Sequence, residues 1–186
     1  MYRRCLRRGS STGAALQIEC NLKSNERVHT PGSKLILIVE DFEDDAKLLQ
    51  MLLTQCGIAN PVHIALSAEE SINYLSGRPP YENRAMFPFP AVVFIDLKLP
   101  GINGFDLIRW IKERAELRHA FVVVLSATGD LMSVQTAYAL GANSFLIKPC
   151  RAADLENLVI CYPTFWERVI PPMFPETPTT PSPPAG

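Results

Sequence analysis

Four short apolar runs each end in residues able to hold charge or phosphate. Leu35 to Val39 is followed by Glu40 and Asp41, Ala91 to Ile95 by Asp96, Phe121 to Leu125 by Ser126, and Ser144 to Ile147 by Lys148. If these runs lie side by side and parallel, three carboxylates, a hydroxyl and an ammonium meet on one rim. Acids that close are costly to ionise together unless a cation sits among them, and hard oxygen ligands on a partly hydrated rim favour Mg2+ or Mn2+. With a lysine and a hydroxyl added, the rim can hold a tetrahedral anion against a carboxylate, which is a phosphoryl-transfer constellation.

The intervening segments supply the elements that would position this rim. Leu35 to Val39 is apolar at every position, the mark of a strand buried on both faces of a parallel sheet. Glu43, Asp44 and Asp45 then suit a helix N-terminus, and Leu49, Leu52, Leu53 and Cys56 recur at helical spacing up to Gly57. Val62 to Leu66 reads as a second strand, with Ser67 and Glu70 in a capping-box pattern before a helix that runs through Ile72 and Leu75 to Gly77. Arg78 to Pro90 is a longer loop with four prolines and no periodicity. After the third strand, Phe105, Ile108, Trp110 and Ile111 mark a third helix. A fourth, Leu131 to Leu140, closes at Gly141. A last helix is expected from about Ala152 to Val169, with Pro163 as a candidate break. Five strands alternating with five helices predict an α/β, doubly wound parallel sheet, with its chemistry beyond the carboxyl ends of the strands.

The segments LILIVED, VVFIDLKLPGINGFDL, VVVLSATGD and GANSFLIKP closely resemble the response regulator receiver domain of two-component signalling. The resemblance covers about Lys34 to Trp166. It implies a flavodoxin-like (βα)5 fold with strand order 2-1-3-4-5 and a set of residue roles. Asp96 matches the phosphoacceptor, Asp41 a direct Mg2+ ligand, and Glu40 a ligand acting mainly through water. Lys98 matches the position that lends a backbone carbonyl to the metal. Ser126 matches the hydroxyl that bonds the phosphoryl group, Ala127 a backbone N–H donor to it, and Lys148 its charge partner. Lys148-Pro149 matches a step that is usually cis in the family, and Phe145 the aromatic switch. The implied function is acceptance of a phosphoryl group from a histidine kinase, with self-phosphorylation and slow autodephosphorylation but no other enzyme activity.

Departures from the family pattern are few. Glu40 stands where an aspartate is often found, and Asn103-Gly104 where Asp-Gly is common, a change compatible with the same turn. Lys98 and Thr128 line the access to the phosphoryl group and so bear on its lifetime. Cys150 replaces a bulky aromatic that often follows the proline. The long loop and the segment through Phe165, Trp166, Val169 and Ile170 resemble stand-alone receivers that serve phytochrome-type histidine kinases, which tend to form homodimers through the fourth helix, fifth strand and fifth helix.

Composition excludes other classes. The chain has 186 residues with a net charge of -1, one ordinary domain plus extensions. Residues 1–33 hold six Lys or Arg against two acids and read as a flexible basic extension, although an organellar transit peptide has the same bias. Residues 34–170 form the receiver, and 171–186, with seven of the sixteen prolines, a disordered polyproline-type tail. No run approaches the roughly 20 apolar residues of a membrane span. The sixteen residues after Ile170 are too few for a helix-turn-helix, so no nucleic-acid partner is expected and output falls to a downstream protein target. Five cysteines without a CxxC spacing argue against zinc and a disulfide framework and fit a reducing cytoplasm. His29, His63 and His119 have no partners at ligand spacing, and Trp110, Phe165 and Trp166 read as packing residues. Two alternatives remain open: a Mg2+-dependent phosphohydrolase with Asp96 as nucleophile, and a binding module that works without phosphorylation. Such hydrolases usually carry a second Asp two positions on, where this chain has Lys98.

Overall fold

A computed structural model describes residues 34–167; the expectations for the basic head and the proline-rich tail lie outside them. The strands are β1 (Ile36–Val39), β2 (Val62–Ala65), β3 (Val92–Asp96), β4 (Phe121–Ser126) and β5 (Ser144–Ile147), and the helices are α1 (Glu43–Gln55), α2 (Ala68–Ser76), α3 (Gly104–Lys112), α4 (Leu131–Ala139) and α5 (Ala152–Cys161). All four strand pairings are parallel, in the order 2-1-3-4-5, as expected.

Period-two alternation sends each strand's side chains to two cores. Leu35, Leu37, Val39, Val93, Ile95, Val122 and Val124 pack under α2, α3 and α4 with Leu75, Leu107, Ile108 and Ala137. Ile36, Ile38, Phe94, Phe121 and Val123 face α1 and α5 through Leu49, Leu53, Leu155 and Val159. With both faces covered, the central strands are apolar up to the polar residues that end β3 and β4, Asp96 and Ser126. No helix among the described residues is long and apolar enough to cross a membrane.

Caps place the helices. Ser67 Oγ accepts the Glu70 N–H (3.0 Å) and Glu70 Oε2 accepts the Leu66 N–H (2.8 Å), so the capping pattern fixes the start of α2. Asn103 Oδ1 accepts from Asp106 N (2.9 Å) at α3, and Asp130 Oδ1 from Ser133 N (2.9 Å) at α4. Gly104 is required for a different reason. A Cβ there would overlap the carbonyl oxygen of Asp96 and lie 2.7 Å from Leu97 Cα, so glycine lets α3 abut the end of β3.

One segment differs from its sequence expectation, and a second, expected as a loop, is a loop with internal order. The last helix stops at Cys161, before Pro163, and a 3-10 turn (Pro163–Phe165) follows. The chain then runs in extended form across the amino ends of β1 and β2. Asn60, buried between them, donates to Lys34 O (2.5 Å) and Phe165 O (3.1 Å) and accepts from Glu167 N (2.6 Å). Lys34 N in turn donates to Glu167 Oε1 (2.7 Å). Trp166 packs near Phe94 and Phe121 as a core residue. Asn60→Ala removes all three of its side-chain bonds and leaves backbone groups unpaired. The variant is expected to lose about 2 kcal/mol, read as a lower urea midpoint at unchanged slope.

The second segment is the proline-bearing loop. Tyr81 and Phe87 pack edge-on to each other and to His63 of β2, which stacks on Tyr74 at 4.4 Å. Arg84 donates to the carbonyls of Tyr74 (2.9 Å) and Leu75 (2.7 Å), satisfying the carboxyl end of α2. The loop is therefore packed in order over His63 of β2 and the carboxyl end of α2.

Candidate functional site

The parallel register brings the carboxyl ends of β1, β3, β4 and β5 to one rim, and with them every residue expected there. β1 ends at Val39 opposite Ile95 of β3, which puts Glu40 and Asp41 beside Asp96. Asp96 pairs with Leu125 of β4, and Ser126 with Ile147 of β5, one residue before Lys148. Glu40, Asp96 and Ser126 are buried, while Asp41 is half-buried.

One carboxylate oxygen from each of Glu40, Asp41 and Asp96 lies within 4.8 Å of the others. Glu40 Oε1 and Asp41 Oδ1 are buried without a hydrogen-bond partner. Carboxylate oxygens left bare in a protein interior are expensive, and a hard divalent cation is the group that answers both of them at once beside Asp96. The donor set therefore fits Mg2+ or Mn2+.

Lys148 already opposes this negative charge. Its Nζ donates to Glu40 Oε2 and to Asp96 Oδ2 (2.5 Å), and its backbone N–H donates to Ser126 O (2.8 Å), which fixes where the side chain starts. Asp96 Oδ1 accepts the Lys98 N–H at 2.8 Å. Lys148-Pro149 is cis, as the resemblance implied. Ser126 Oγ accepts the Thr128 N–H (3.2 Å), and Thr128 Oγ1 donates to Asp130 Oδ2 (3.1 Å), so the hydroxyl is linked to the cap of α4. Phe145 is half-buried against the α2–α4 core, and Ile147 of β5 meets the β4–α4 loop at Gly129. Phe145 thus lies on the strand that leads into Lys148 of the rim.

Burial raises the Glu40 carboxyl from its ordinary 4.5 to about 7; the Lys148 hydrogen bond works against that and nearby Asp96 adds to it. The sign follows directly. In the metal-free protein the stability owed to protonated Glu40 is full below pH 4.5 and is lost as pH rises through about 7. A cation binds the ionised form, so it must expel that proton. Mg2+ affinity, measured by calorimetry, is expected to rise with pH by up to about tenfold per unit below pH 7 and then level off. Glu40→Gln should flatten the profile.

Sequence reasoning missed Asp45. It belongs to the three acids in the first turn of α1, read as helix-end electrostatics, yet its Oδ2 lies 3.4 Å from Lys148 Nζ. The signal was present: Asp45 stands one turn before Leu49 and two before Leu52, at the exposed border of the stripe that α1 buries. These residues line a cavity of about 340 Å3 together with Lys148, Pro149 and Cys150. Cys150 contributes a small side chain there. Burial first, and Asp154 next, push its thiol up to about 11, which makes it a poor nucleophile. Among the described residues Cys56, Cys150 and Cys161 form no disulfide.

A model of the response regulator receiver domain matches residues 36–160, and the chain belongs to that family, the receivers of two-component systems. Among curated relatives it is similar to response regulator Rcp1 of Synechocystis sp., 31% identical over 133 residues that span 72% of this chain and 88% of the relative. Among solved structures it is similar to the bacteriophytochrome response regulator AtBRR, with 33% identity, a TM-score of 0.64 and coverage of 75% and 99% of the two chains. The Mn2+-bound form of Rcp1 matches with 31% identity and a TM-score of 0.59, covering 68% of this chain and 88% of that one. The resemblance to phytochrome-associated response regulators read from the sequence therefore holds.

Proposed function

We propose that this receiver accepts a phosphoryl group on Asp96 from a histidine kinase and passes the signal on by protein–protein interaction. The observation that carries the reading is the convergence of Glu40, Asp41 and Asp96 with Lys148 on one rim. Glu40, Asp41, Asp96 and the carbonyl of Lys98 would hold Mg2+ or Mn2+, and the Mn2+ in the related Rcp1 supports a divalent ion. When bound, such an ion supplies positive charge to the transferring phosphoryl oxygens.

An Asp96 oxygen attacks phosphorus, the N–P bond of the phosphohistidine breaks, and its electron pair returns to the imidazole. The acyl phosphate left on Asp96 is received by the Ser126 hydroxyl, the Ala127 N–H and the Lys148 ammonium. Drawing Ser126 inward costs its bond to the Thr128 N–H and pulls on the start of α4, while the space vacated admits Phe145. No multiple turnover follows from this machinery. Lys98, with an ammonium where aspartyl phosphohydrolases keep a general acid, disfavours that alternative.

The kinase partner we assign is of phytochrome type, in line with the related regulators. Exposed Leu131 and Met132 on α4, Ile147 on β5 and Ile160 on α5 support a homodimer through these three elements, or a downstream protein seated on them. The deciding experiment is incubation with Mg2+ and acetyl phosphate followed by intact and peptide mass measurement. One phosphoryl group on Asp96 supports the receiver reading, many turnovers of a phosphate monoester the hydrolase, and no label under any condition a phosphorylation-independent module.

A further inference from the structure

Lys148 has ion pairs with three carboxylates among the described residues, and only two of the three belong to the cluster suited to a cation. Its ammonium donates to Glu40 Oε2 and Asp96 Oδ2, and lies 3.4 Å from Asp45 Oδ2. Glu40 and Asp96 are thus claimed twice, by the lysine and by the divalent ion that their geometry fits. Two cations so close repel, so the ammonium must yield oxygens when the ion arrives. The Lys148 backbone is tied to Ser126 O at 2.8 Å, which leaves a swing of the side chain as its available motion. Asp45 is the remaining carboxylate within ion-pair distance, and it stands outside the cation cluster. Its side chain is 52% exposed, and α1 holds it in place through buried Ala46 and Leu49.

We propose that Asp45 is a positioning residue for Lys148. It retains the ammonium beside the rim once Glu40 and Asp96 turn to a divalent ion, so that the lysine neither competes for those oxygens nor departs before Asp96 is modified. This rests on the phosphoryl-transfer reading above. Without Asp45, Lys148 falls back on Glu40 and Asp96 alone; Glu40 still offers the ion its bare Oε1, but both Asp96 oxygens already accept donors, so the ion meets the ammonium in full there. The larger change is then in the Mg2+ concentration at half-maximal labelling rather than in the maximal rate.

The test uses the full chain, with Mg2+ binding read by calorimetry in the absence of any phosphodonor and labelling read over a Mg2+ series with acetyl phosphate. Asp44→Asn removes the same charge from the same helical turn and measures the general field effect. Asp45→Asn is expected to weaken Mg2+ binding by about threefold to fivefold beyond Asp44→Asn, the scale of a partly exposed ion pair. Asp45→Glu restores most of the loss, and in a Lys148→Ala background the Asp44 and Asp45 substitutions become equal. Equal effects of Asp44→Asn and Asp45→Asn with Lys148 present overturn the proposal. So does an Asp45→Asn effect that persists in full without Lys148, which would make Asp45 a ligand of the ion itself. A wild-type chain that binds Mg2+ yet takes no label removes the transfer reading, while the calorimetric comparison still decides the role of Asp45.

Discussion

Asp96→Asn takes up no stable phosphoryl label from acetyl phosphate, with a fall of about a thousandfold or more, the scale on which deleting a nucleophile acts. The expectation rests on how both oxygens of Asp96 are used. Oδ1 accepts the Lys98 N–H and Oδ2 accepts the Lys148 ammonium, so the carboxylate is aimed by two donors. An asparagine amide must turn its NH2 toward one of them, donor against donor, and its oxygen carries no full charge for attack on phosphorus. Intact mass after acetyl phosphate and Mg2+ reads the result. Label that survives the substitution at wild-type extent would place the nucleophile elsewhere and sink the assignment.

Lys148→Ala is expected to act first on stability. Its removal leaves buried Glu40 and Asp96 facing each other with no counter-charge between them, and breaking a buried pair from one side costs about 3 kcal/mol. Glu40 then loses both the hydrogen bond and the charge through which Lys148 lowers its pKa, so it holds its proton more firmly than at about 7. The deficit in metal-free protein is therefore larger at pH 8 than at pH 6, because the higher pH forces the charge. Excess Mg2+ should recover most of it, and the variant should bind Mg2+ more tightly than wild type, since no ammonium must be displaced. Urea midpoints at the two pH values, with Mg2+ or with chelator, decide the matter. An equal deficit in all four conditions would mean that Lys148 supports the fold by packing rather than by charge.

How much of this was legible in the sequence depends on how local each cause is. Strands β1, β3 and β4 were readable because a run apolar at every position has one home, a sheet covered on both faces, and the rim followed because parallel strands end together. Asp45 was harder: a helix-end acid and a rim acid look alike until the phase of α1 is set by Leu49 and Leu52. Arg78 to Pro90 was legible as a loop, but its packing was not. Its order comes from Tyr81 and Phe87 finding His63 and Tyr74, and from Arg84 finding the end of α2, contacts that no periodicity announces. The last helix was read too long because its apolar spacing continues through Phe165 and Trp166, whereas those rings turn back onto Phe121.

The clasp around Asn60 has a mechanical meaning. Lys34 and Glu167 are bonded to each other at the amino ends of the strands, the pole of the sheet farthest from Asp96. Tension applied through the two ends of the domain would load those few hydrogen bonds in series, and they would unzip before any shear reached the sheet. A fluorophore or surface tether attached at Lys34 or Glu167 would likewise sit at the amino pole of the sheet, away from the acidic rim.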